Sequence, residues 1–241
     1  MKVQVIQFNK NLPAEIVKDK IVIVIDVFRA TSVIVTALAH KAKEVIPAST
    51  IDEALEIFNG FEDKNCILGG ERNMFKIDGF HMGNSPISYM ENVKDKTIIL
   101  TTSNGTPAIN FCKPASKIFL GSFLNTIYVA TALLKQKNNI IILCAGRGEE
   151  YSLEDACCAG KLLFYLSQHI DIKFNDFEWS LKNMYEQNKD NLYEFLSNGS
   201  AFSKLFNGGF EVDVQFCLQE NIYPFVPEYS NGKIITTIAD I

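Results

Sequence analysis

The three arginines of this chain each lie beside a carboxylate in a short loop that follows an apolar run. They are Arg29, Arg72 and Arg147, whereas lysine carries nearly all of the remaining positive charge. Because a guanidinium group is planar and permanently charged, it can hold a phosphate, sulfonate or carboxylate through two parallel hydrogen bonds. This placement predicts the binding of a small anion.

The first arginine loop also carries a carboxylate and two hydroxyl groups. Asp26 directly follows the apolar run 21–25, and Arg29, Thr31 and Ser32 come next. Acidic residues that end a buried parallel strand often act as metal or catalytic ligands, which predicts such a role for Asp26, with Arg29 catalytic and the two hydroxyls substrate-binding. The structural alternative is that Thr31 or Ser32 caps the next helix and that Asp26 pairs with Arg29.

A second polar loop, Thr101-Thr-Ser-Asn-Gly-Thr-Pro107, joins an apolar run to a helix start. Hydroxyls of Thr102 and Ser103, with backbone N–H groups at Asn104 and Gly105, could hold phosphate oxygens. The loop lacks the glycine and lysine order of a nucleotide-binding P-loop. Its alternative is an ordinary capped helix start.

The third loop, Gly146-Arg147-Gly-Glu149, precedes Ser152-Leu-Glu154-Asp155. The latter segment has the spacing of a capping box, in which Asp155 would bond back to the start of the helix. Glu154 or Asp155 could equally project into a cleft as a metal ligand, and the spacing does not separate these alternatives. His81 is the histidine that lies in a polar glycine-containing loop, so it is a candidate general acid or a structural hydrogen-bonding residue.

These loops must be positioned by short strands that alternate with helices. Strands are predicted near 1–8, 21–25, 43–47, 66–68, 97–100, 117–120, 139–144 and 234–238, and helices near 32–40, 51–59, 86–92, 107–111, 125–137 and 153–169. The pattern predicts an α/β protein with three layers, α/β/α, and a largely parallel or mixed sheet. After about residue 169 a helical C-terminal elaboration follows. The chain is either one domain of residues 1–241 or two fused subdomains of about 1–120 and 121–241.

Composition excludes several classes of function. The net charge of −5 and the lack of a basic stretch argue against nucleic acid as a partner. No apolar run approaches the ~20 residues that cross a bilayer, and the N-terminus lacks the pattern of a signal peptide. The six cysteines lie in apolar segments, which predicts buried thiols in a cytoplasmic protein. A homodimer is the commonest expectation for such an enzyme.

Carboxylates mixed with arginines and hydroxyls are typical of a magnesium site for phosphoryl transfer. Mg²⁺ prefers hard oxygen ligands and bridges to phosphate oxygens. The predicted ligands are Asp26, Glu71, Glu154 and Asp155.

The polar segments, taken together, resemble the 2-phosphosulfolactate phosphatase family. The resemblance is collinear from about residue 20 to 160 and rests on Ile25-Asp-Val-Phe-Arg-Ala-Thr-Ser32, Leu68-Gly-Gly-Glu-Arg72, Gly79-Phe-His-Met-Gly-Asn-Ser-Pro86, Thr101-Thr-Ser-Asn-Gly-Thr106 and Ser152-Leu-Glu-Asp-Ala156. It implies Mg²⁺-dependent hydrolysis of 2-phospho-3-sulfolactate to 3-sulfolactate and phosphate, a step of coenzyme M biosynthesis. The substrate would be a small polyanion with phosphate, sulfonate and carboxylate groups.

In the resulting hypothesis, each arginine binds one anionic group of the substrate. Arg29 and the loop 102–105 would stabilise the phosphoryl oxygens, while Arg72 and Arg147 would hold the sulfonate and the carboxylate. The nucleophile is either water or Asp26. Three alternatives stay open: a non-catalytic small-anion-binding protein, a phosphatase of another small phosphorylated acid, and a nucleotide-dependent transferase.

Overall fold

The computed structural model describes residues 2–9, 11–62, 65–136, 138–148 and 150–237, with only the backbone at 237. The strands in these ranges are β1 (Val3–Gln7), β2 (Ile21–Ile25), β3 (Glu44–Ala48), β4 (Cys66–Arg72), β5 (Phe75–Lys76), β6 (Thr97–Thr101), β7 (Lys117–Gly121), β8 (Ile140–Cys144), β9 (Val226–Ser230) and β10 (Lys233–Thr237). The helices are α1 (Ala30–Ala39), α2 (Ile51–Asn59), α3 (Gly105–Phe111), α4 (Thr126–Leu134), α5 (Leu153–Ser167), α6 (Asp176–Asn188), α7 (Leu192–Ser197), α8 (Ser200–Asn207) and α9 (Glu211–Cys217). The predicted ends at Met1, Lys137 and Ile238 lie outside the described residues.

One mixed sheet contains all ten of these strands, in the order β1-β8-β2-β7-β9-β10-β3-β6-β4-β5. Strands β1, β8, β2 and β7 form one parallel block, and β3, β6 and β4 form another. The pairings β7/β9, β9/β10 and β10/β3 are all antiparallel. Because three antiparallel steps separate the blocks, their strands run in opposite directions.

Helices cover both faces of the sheet, as strands that are apolar on both faces require. Ile21, Ile23 and Ile25 belong to a cluster with α4, α5 and α6, whereas Val22 and Val24 face α1 and α3. A smaller cluster joins α2 to β4 and β6. The predicted three-layer α/β/α architecture is confirmed, and the sheet is of the mixed kind.

The C-terminal part of the chain is helical and then returns to the sheet, as predicted. Helix α6 packs closely on α5 at Gly160, where a Cβ would lie 2.2 Å from the Leu181 carbonyl oxygen. Helices α8 and α9 add Phe202, Leu205 and Val214 to the core cluster beneath α5. The hairpin β9–β10 then joins the two parallel blocks.

Two smaller predictions have different outcomes. The helix predicted at 86–92 is a 3-10 helix at Pro86–Met90, because Pro86 allows a helical start but the segment is too short to propagate one. All six cysteines are buried, as predicted. Within the described ranges, no helix combines the length and the apolar character needed to cross a membrane.

Candidate active site

One pocket collects the loops that follow β2 and β8 from one block and β4 and β6 from the other. Its cavity volume is about 230 Å³, which suits a small ligand. The pocket is lined by Asp26, Phe28, Arg29, Glu71, Asn73, Met74, Asn84, Ser103, Asn104, Gly146, Arg147, Gly148, Glu154, Asp155, Ala201, Lys204 and Leu205. Loops at the carboxyl ends of both blocks therefore meet at one place, although the strands of the two blocks run in opposite directions.

Asp26 is a buried carboxylate held at the end of β2. Its Oδ1 accepts a hydrogen bond from the Ala30 N–H at 3.2 Å, and its own N–H donates to Thr31 Oγ1 at 3.0 Å. Burial raises the pKa of Asp26 to about 7; the Ala30 N–H opposes this rise, and the charges of Glu71 and Glu154 add to it. Burial therefore favours the protonated form of this carboxyl group.

The start of α3 lies directly against this carboxylate. A Cβ placed on Gly105 would come within 2.5 Å of Asp26 Oδ2 and within 2.4 Å of Ala30 Cβ. Real side chains do not tolerate such contacts, so only glycine permits the approach. Gly105 therefore acts by making room for Asp26.

Glu71 joins the end of β4 to the loop after β6. Its Oε1 accepts from the Ser103 N–H at 2.8 Å, and its Oε2 accepts from the Met74 N–H at 2.9 Å and from Ser103 Oγ at 3.3 Å. The side chain is 7% exposed. Hydrogen bonds from two loops thus hold a buried carboxylate at the pocket wall.

Glu154 and Asp155 both lie at the start of α5, but their surroundings differ. Asp155 accepts hydrogen bonds from the Val27 N–H at 2.8 Å and from the Gly146 N–H at 3.1 Å, so each of its two carboxyl oxygens is bound to a backbone N–H group. Burial, followed by the charges of Glu154 and Asp26, raises the pKa of Asp155 well above its usual value. Burial also raises the pKa of Glu154.

The capping-box interpretation of this segment was wrong. Ser152 makes no side-chain cap to the helix, and Asp155 bonds to the loops after β2 and β8. The carboxylate of Asp155 thereby fixes two loops of the pocket relative to each other.

The four predicted metal ligands line the same pocket but do not form a ready-made metal centre. In the part of the chain that the structure describes, no group of three His, Cys, Asp or Glu side chains is arranged to hold a metal ion. Their chemistry nonetheless fits a hard cation, because their ligand atoms are carboxyl oxygens and a cation would offset the cost that burial places on the ionised forms. Glu71 and Asp155 each accept from two backbone N–H groups, one on each oxygen, so both have fewer free lone pairs for a cation than Asp26 has.

Arg29 lines the pocket but is bound by the C-terminal helices. Its Nη1 lies 2.5 Å from Asp213 Oδ2, and its Nη2 donates to the Met74 carbonyl at 2.7 Å. The guanidinium carbon lies 4.1 Å from the centre of the Phe210 ring. The structural alternative, in which Arg29 pairs with Asp26, does not hold, because Asp213 is the carboxylate that pairs with this buried charge.

The other two arginines occupy different positions. Arg72 does not line the pocket; it donates to the Glu71 carbonyl at 2.6 Å and to Thr101 Oγ1 at 2.9 Å. Arg147 lies at the rim of the pocket and pairs with Glu150. The structure thus does not bring the three arginines together, and Glu149 of the predicted loop lies outside the described residues.

Only part of the second polar loop reaches the pocket. Ser103 and Asn104 line it, and Asn104 Oδ1 accepts from the Gly148 N–H at 3.0 Å. Thr102 is buried and exchanges hydrogen bonds with Thr106, whose N–H donates to Thr102 Oγ1 at 3.0 Å. The helix-start alternative therefore describes Thr102, while Ser103 and Asn104 face the site.

Three further predicted residues do not line the pocket. Thr31 Oγ1 donates to the Asp26 carbonyl at 2.8 Å and Ser32 Oγ donates to the Val27 carbonyl at 2.9 Å, so both hydroxyls brace the loop after β2. His81 is exposed, and its Nδ1 accepts from the Leu68 N–H at 3.0 Å. This position matches the structural interpretation of the histidine.

The sequence reasoning missed three residues at or beside the site. Asn84 is 5% exposed, and within the described residues its Oδ1 has no hydrogen-bond partner. Lys204 lines the pocket from α8, and Asp213 holds Arg29. Asn84 lies in the Gly-Asn-Ser-Pro segment and could have been suspected, whereas nothing in the local sequence marks Lys204 or Asp213.

An α/β protein with a buried acidic pocket and cationic side chains around it is suited to bind a divalent cation and a small anion together, as phosphoryl-transfer enzymes do. A family model described as 2-phosphosulpholactate phosphatase matches residues 6–232. The chain belongs to this family.

Several relatives match over nearly their whole length. A Clostridium tetani protein named probable 2-phosphosulfolactate phosphatase is 39% identical over 235 residues, covering 97% of this chain and 100% of the relative. A Clostridium botulinum (strain Alaska E43) protein of the same name is 38% identical, covering 98% and 99%. A protein of that name from Caldanaerobacter subterraneus is 39% identical, covering 91% and 92%.

Proposed function

We propose that this chain is a phosphatase that hydrolyses 2-phospho-3-sulfolactate to 3-sulfolactate and phosphate with the help of Mg²⁺. The observation that carries the proposal is the buried acidic pocket, which is built from the same loops that carry the family resemblance. A protein that only bound an anion would gain nothing from burying four carboxylates beside its ligand. The role in coenzyme M biosynthesis stays a prediction.

The cation would be held by one or two of the carboxylates of Asp26, Glu71 and Glu154, as Mg²⁺ commonly is in phosphate-binding sites. Each is buried at the pocket wall, and burial of Asp26 and Glu154 raises their pKa values. Bound Mg²⁺ would offset the charge of the phosphoryl oxygens. Asp155 would hold the loops that carry Val27 and Gly146 through its two backbone hydrogen bonds.

The protein groups that face the reacting phosphate would be Asp26, Ser103 and Asn104. A bound cation would favour the ionised form of Asp26, which could then accept a proton from an attacking water or attack phosphorus itself. Both roles require the same carboxylate position, which Ala30 and Gly105 define.

Arg29 is better described as a positioning residue. Its guanidinium is held by Asp213 and the Met74 carbonyl, and its charge lowers the pKa of Asp26. It would therefore tune Asp26 and keep the C-terminal helices in place, without needing to release its partners to grip a phosphate.

The test is phosphate release from a panel of small phosphorylated acids, 2-phospho-3-sulfolactate included, with Mg²⁺ and with EDTA. The proposal predicts release that requires Mg²⁺ and is fastest with phosphosulfolactate. Release from a different acid would support the phosphatase activity but would show that the substrate is another compound. No release from any member, together with binding of sulfolactate, would instead identify an anion-binding protein.

A further inference from the structure

The pocket has an acidic floor and a basic rim. The carboxyl groups of Asp26, Glu71, Glu154 and Asp155 are each at most 7% exposed, so the acidic groups lie deep in the pocket. The cationic residues Arg147 and Lys204 are more accessible, with the Arg147 side chain 34% exposed. A ligand with two separated anionic groups would therefore meet different partners at its two ends.

Lys204 differs from the pocket-lining arginines in its ion pairing. Arg29 is paired with Asp213 and Arg147 with Glu150, whereas no ion pair of Lys204 is found among the described residues. Lys204 helps to lower the pKa of Glu150, after the larger effects of Arg147, which places it on the same side of the pocket mouth. A positive charge is thus available there for a ligand.

The position of Lys204 is fixed by packing of the helix that carries it. Ala201, Lys204 and Leu205 have the spacing of one helix face, and all three line the pocket. The same helix is anchored by Phe202, whose ring centre lies 6.5 Å from that of Phe28 in the loop after β2. Phe28 itself lines the pocket, so α8 is docked against the loop of Asp26.

A second anchor lies just after α8. Phe210 stacks on the Arg29 guanidinium, and Asp213 of α9 pairs with the same group. Asp213 Oδ1 also accepts from Ser85 Oγ at 2.6 Å. The helical segment therefore contacts the pocket loops both before and after Lys204 in the sequence.

We infer that Lys204 binds the anionic group of the substrate that is remote from the phosphoryl group, and thereby selects for phosphorylated acids over phosphate esters with neutral tails. This inference rests on the proposed function and deepens it. The acidic floor, with its cation, would take the phosphoryl end, and Lys204 at the rim would take the sulfonate or carboxylate end. Substrate selection would then come from the C-terminal helices, outside the segments that carry the resemblance.

The experiment compares Lys204→Met and Lys204→Arg with Lys173→Met as a matched control. Lys173 is exposed and does not line the pocket, so its substitution removes the same charge elsewhere. KM and kcat are measured with Mg²⁺ for phosphosulfolactate and for phenyl phosphate, which has no second anionic group. Binding of 3-sulfolactate is measured separately by calorimetry.

Lys204→Met should raise KM for phosphosulfolactate about tenfold and change kcat by less than about twofold, since it removes a charged contact that does not involve the reacting bond. KM for phenyl phosphate should stay unchanged, and Lys204→Arg should restore most of the affinity. Lys173→Met should behave as the wild type with both substrates.

The inference is overturned if Lys204→Met and Lys173→Met give the same KM for phosphosulfolactate, or if both substrates weaken equally. Failure of the proposed function would look different, because the wild type itself would release no phosphate. In that case a loss of 3-sulfolactate binding in Lys204→Met alone would still support the rim contact. Unchanged sulfolactate binding would overturn it.

Discussion

Replacing Asp26 with asparagine should stabilise the protein while abolishing its activity. Asp26 is buried, and burial is the largest cause of its raised pKa. Asparagine keeps an oxygen that can accept from the Ala30 N–H but carries no charge. In the absence of a divalent cation, the substitution removes a destabilising charge. In the presence of Mg²⁺, it would also remove the proposed cation ligand and the proposed reactive carboxylate.

The size of the effect follows from the pKa shift. Because the folded pKa lies above the unfolded value, the stability that Asp26 contributes is fully present below about pH 4 and is lost as the pH rises through about 7. A shift from 3.8 to about 7 costs roughly 4 kcal/mol at pH 8 and roughly 1.5 kcal/mol at pH 5, at about 1.4 kcal/mol for each pKa unit. The advantage of the asparagine variant should therefore be larger at the higher pH.

Thermal and urea unfolding in EDTA at pH 8 and pH 5 would measure this difference. For a chain of this size, the Asp26→Asn variant should melt roughly 5–15 °C higher than the wild type at pH 8, with a smaller gain at pH 5. Turnover with Mg²⁺ should fall by about a hundredfold or more. Asp171→Asn, at an exposed site, is the control for loss of one negative charge. A variant no more stable than the wild type at pH 8, or a gain that does not shrink at pH 5, would refute the reasoning.

Three further predictions concern the surroundings of the site. Asp213→Asn leaves the charge of Arg29 buried without its carboxylate, so the free energy of unfolding in urea should fall by roughly 3–5 kcal/mol. A decrease of less than about 1 kcal/mol would mean that this ion pair does not hold the C-terminal helices in place. Gly105→Ala should displace the Asp26 carboxylate, because the added methyl would lie 2.5 Å from it; turnover should fall sharply while circular dichroism stays native, and normal turnover would contradict the predicted close contact. His81→Gln should keep kcat within about threefold of the wild type, whereas loss of a true general acid lowers kcat by about 10²–10⁴-fold. A decrease of that size would indicate that His81 takes part in catalysis.

The local pattern of the sequence predicted the layers and eight of the ten described strands, but it did not predict β5 or β9. The run 21–25 is apolar at every position and is buried at every position in β2, since a central parallel strand is covered on both faces. Helix α2 spans Ile51–Asn59, as its period predicted. The reversal between the two parallel blocks could not be predicted, because it depends on where the hairpin β9–β10 inserts, and local patterning does not encode that choice.

The same distinction holds within the site. The sequence predicted that Asp26, Glu71, Ser103 and Asn104 share a site because each follows a strand, but it did not predict that these strands belong to two blocks of opposite direction. The partner of Arg29 required knowledge of a contact across 184 positions of the chain. Charge and hydroxyl content mark residues that could bind a ligand, but they do not show which of those groups are already satisfied by the protein.

Burial links the stability of this pocket to its proposed chemistry. The same desolvation that raises the pKa values of Asp26 and Glu154 makes their ionised forms costly in the folded protein, and a divalent cation would offset that cost. Cation binding should therefore stabilise the wild type more than the Asp26→Asn variant, which has less charge to neutralise. The buried pair of Arg29 and Asp213 fixes the neighbouring C-terminal helices without using a pocket carboxylate. The pocket carboxyl groups are thus not used in this ion pair, and under the proposed function they would be free to bind a cation.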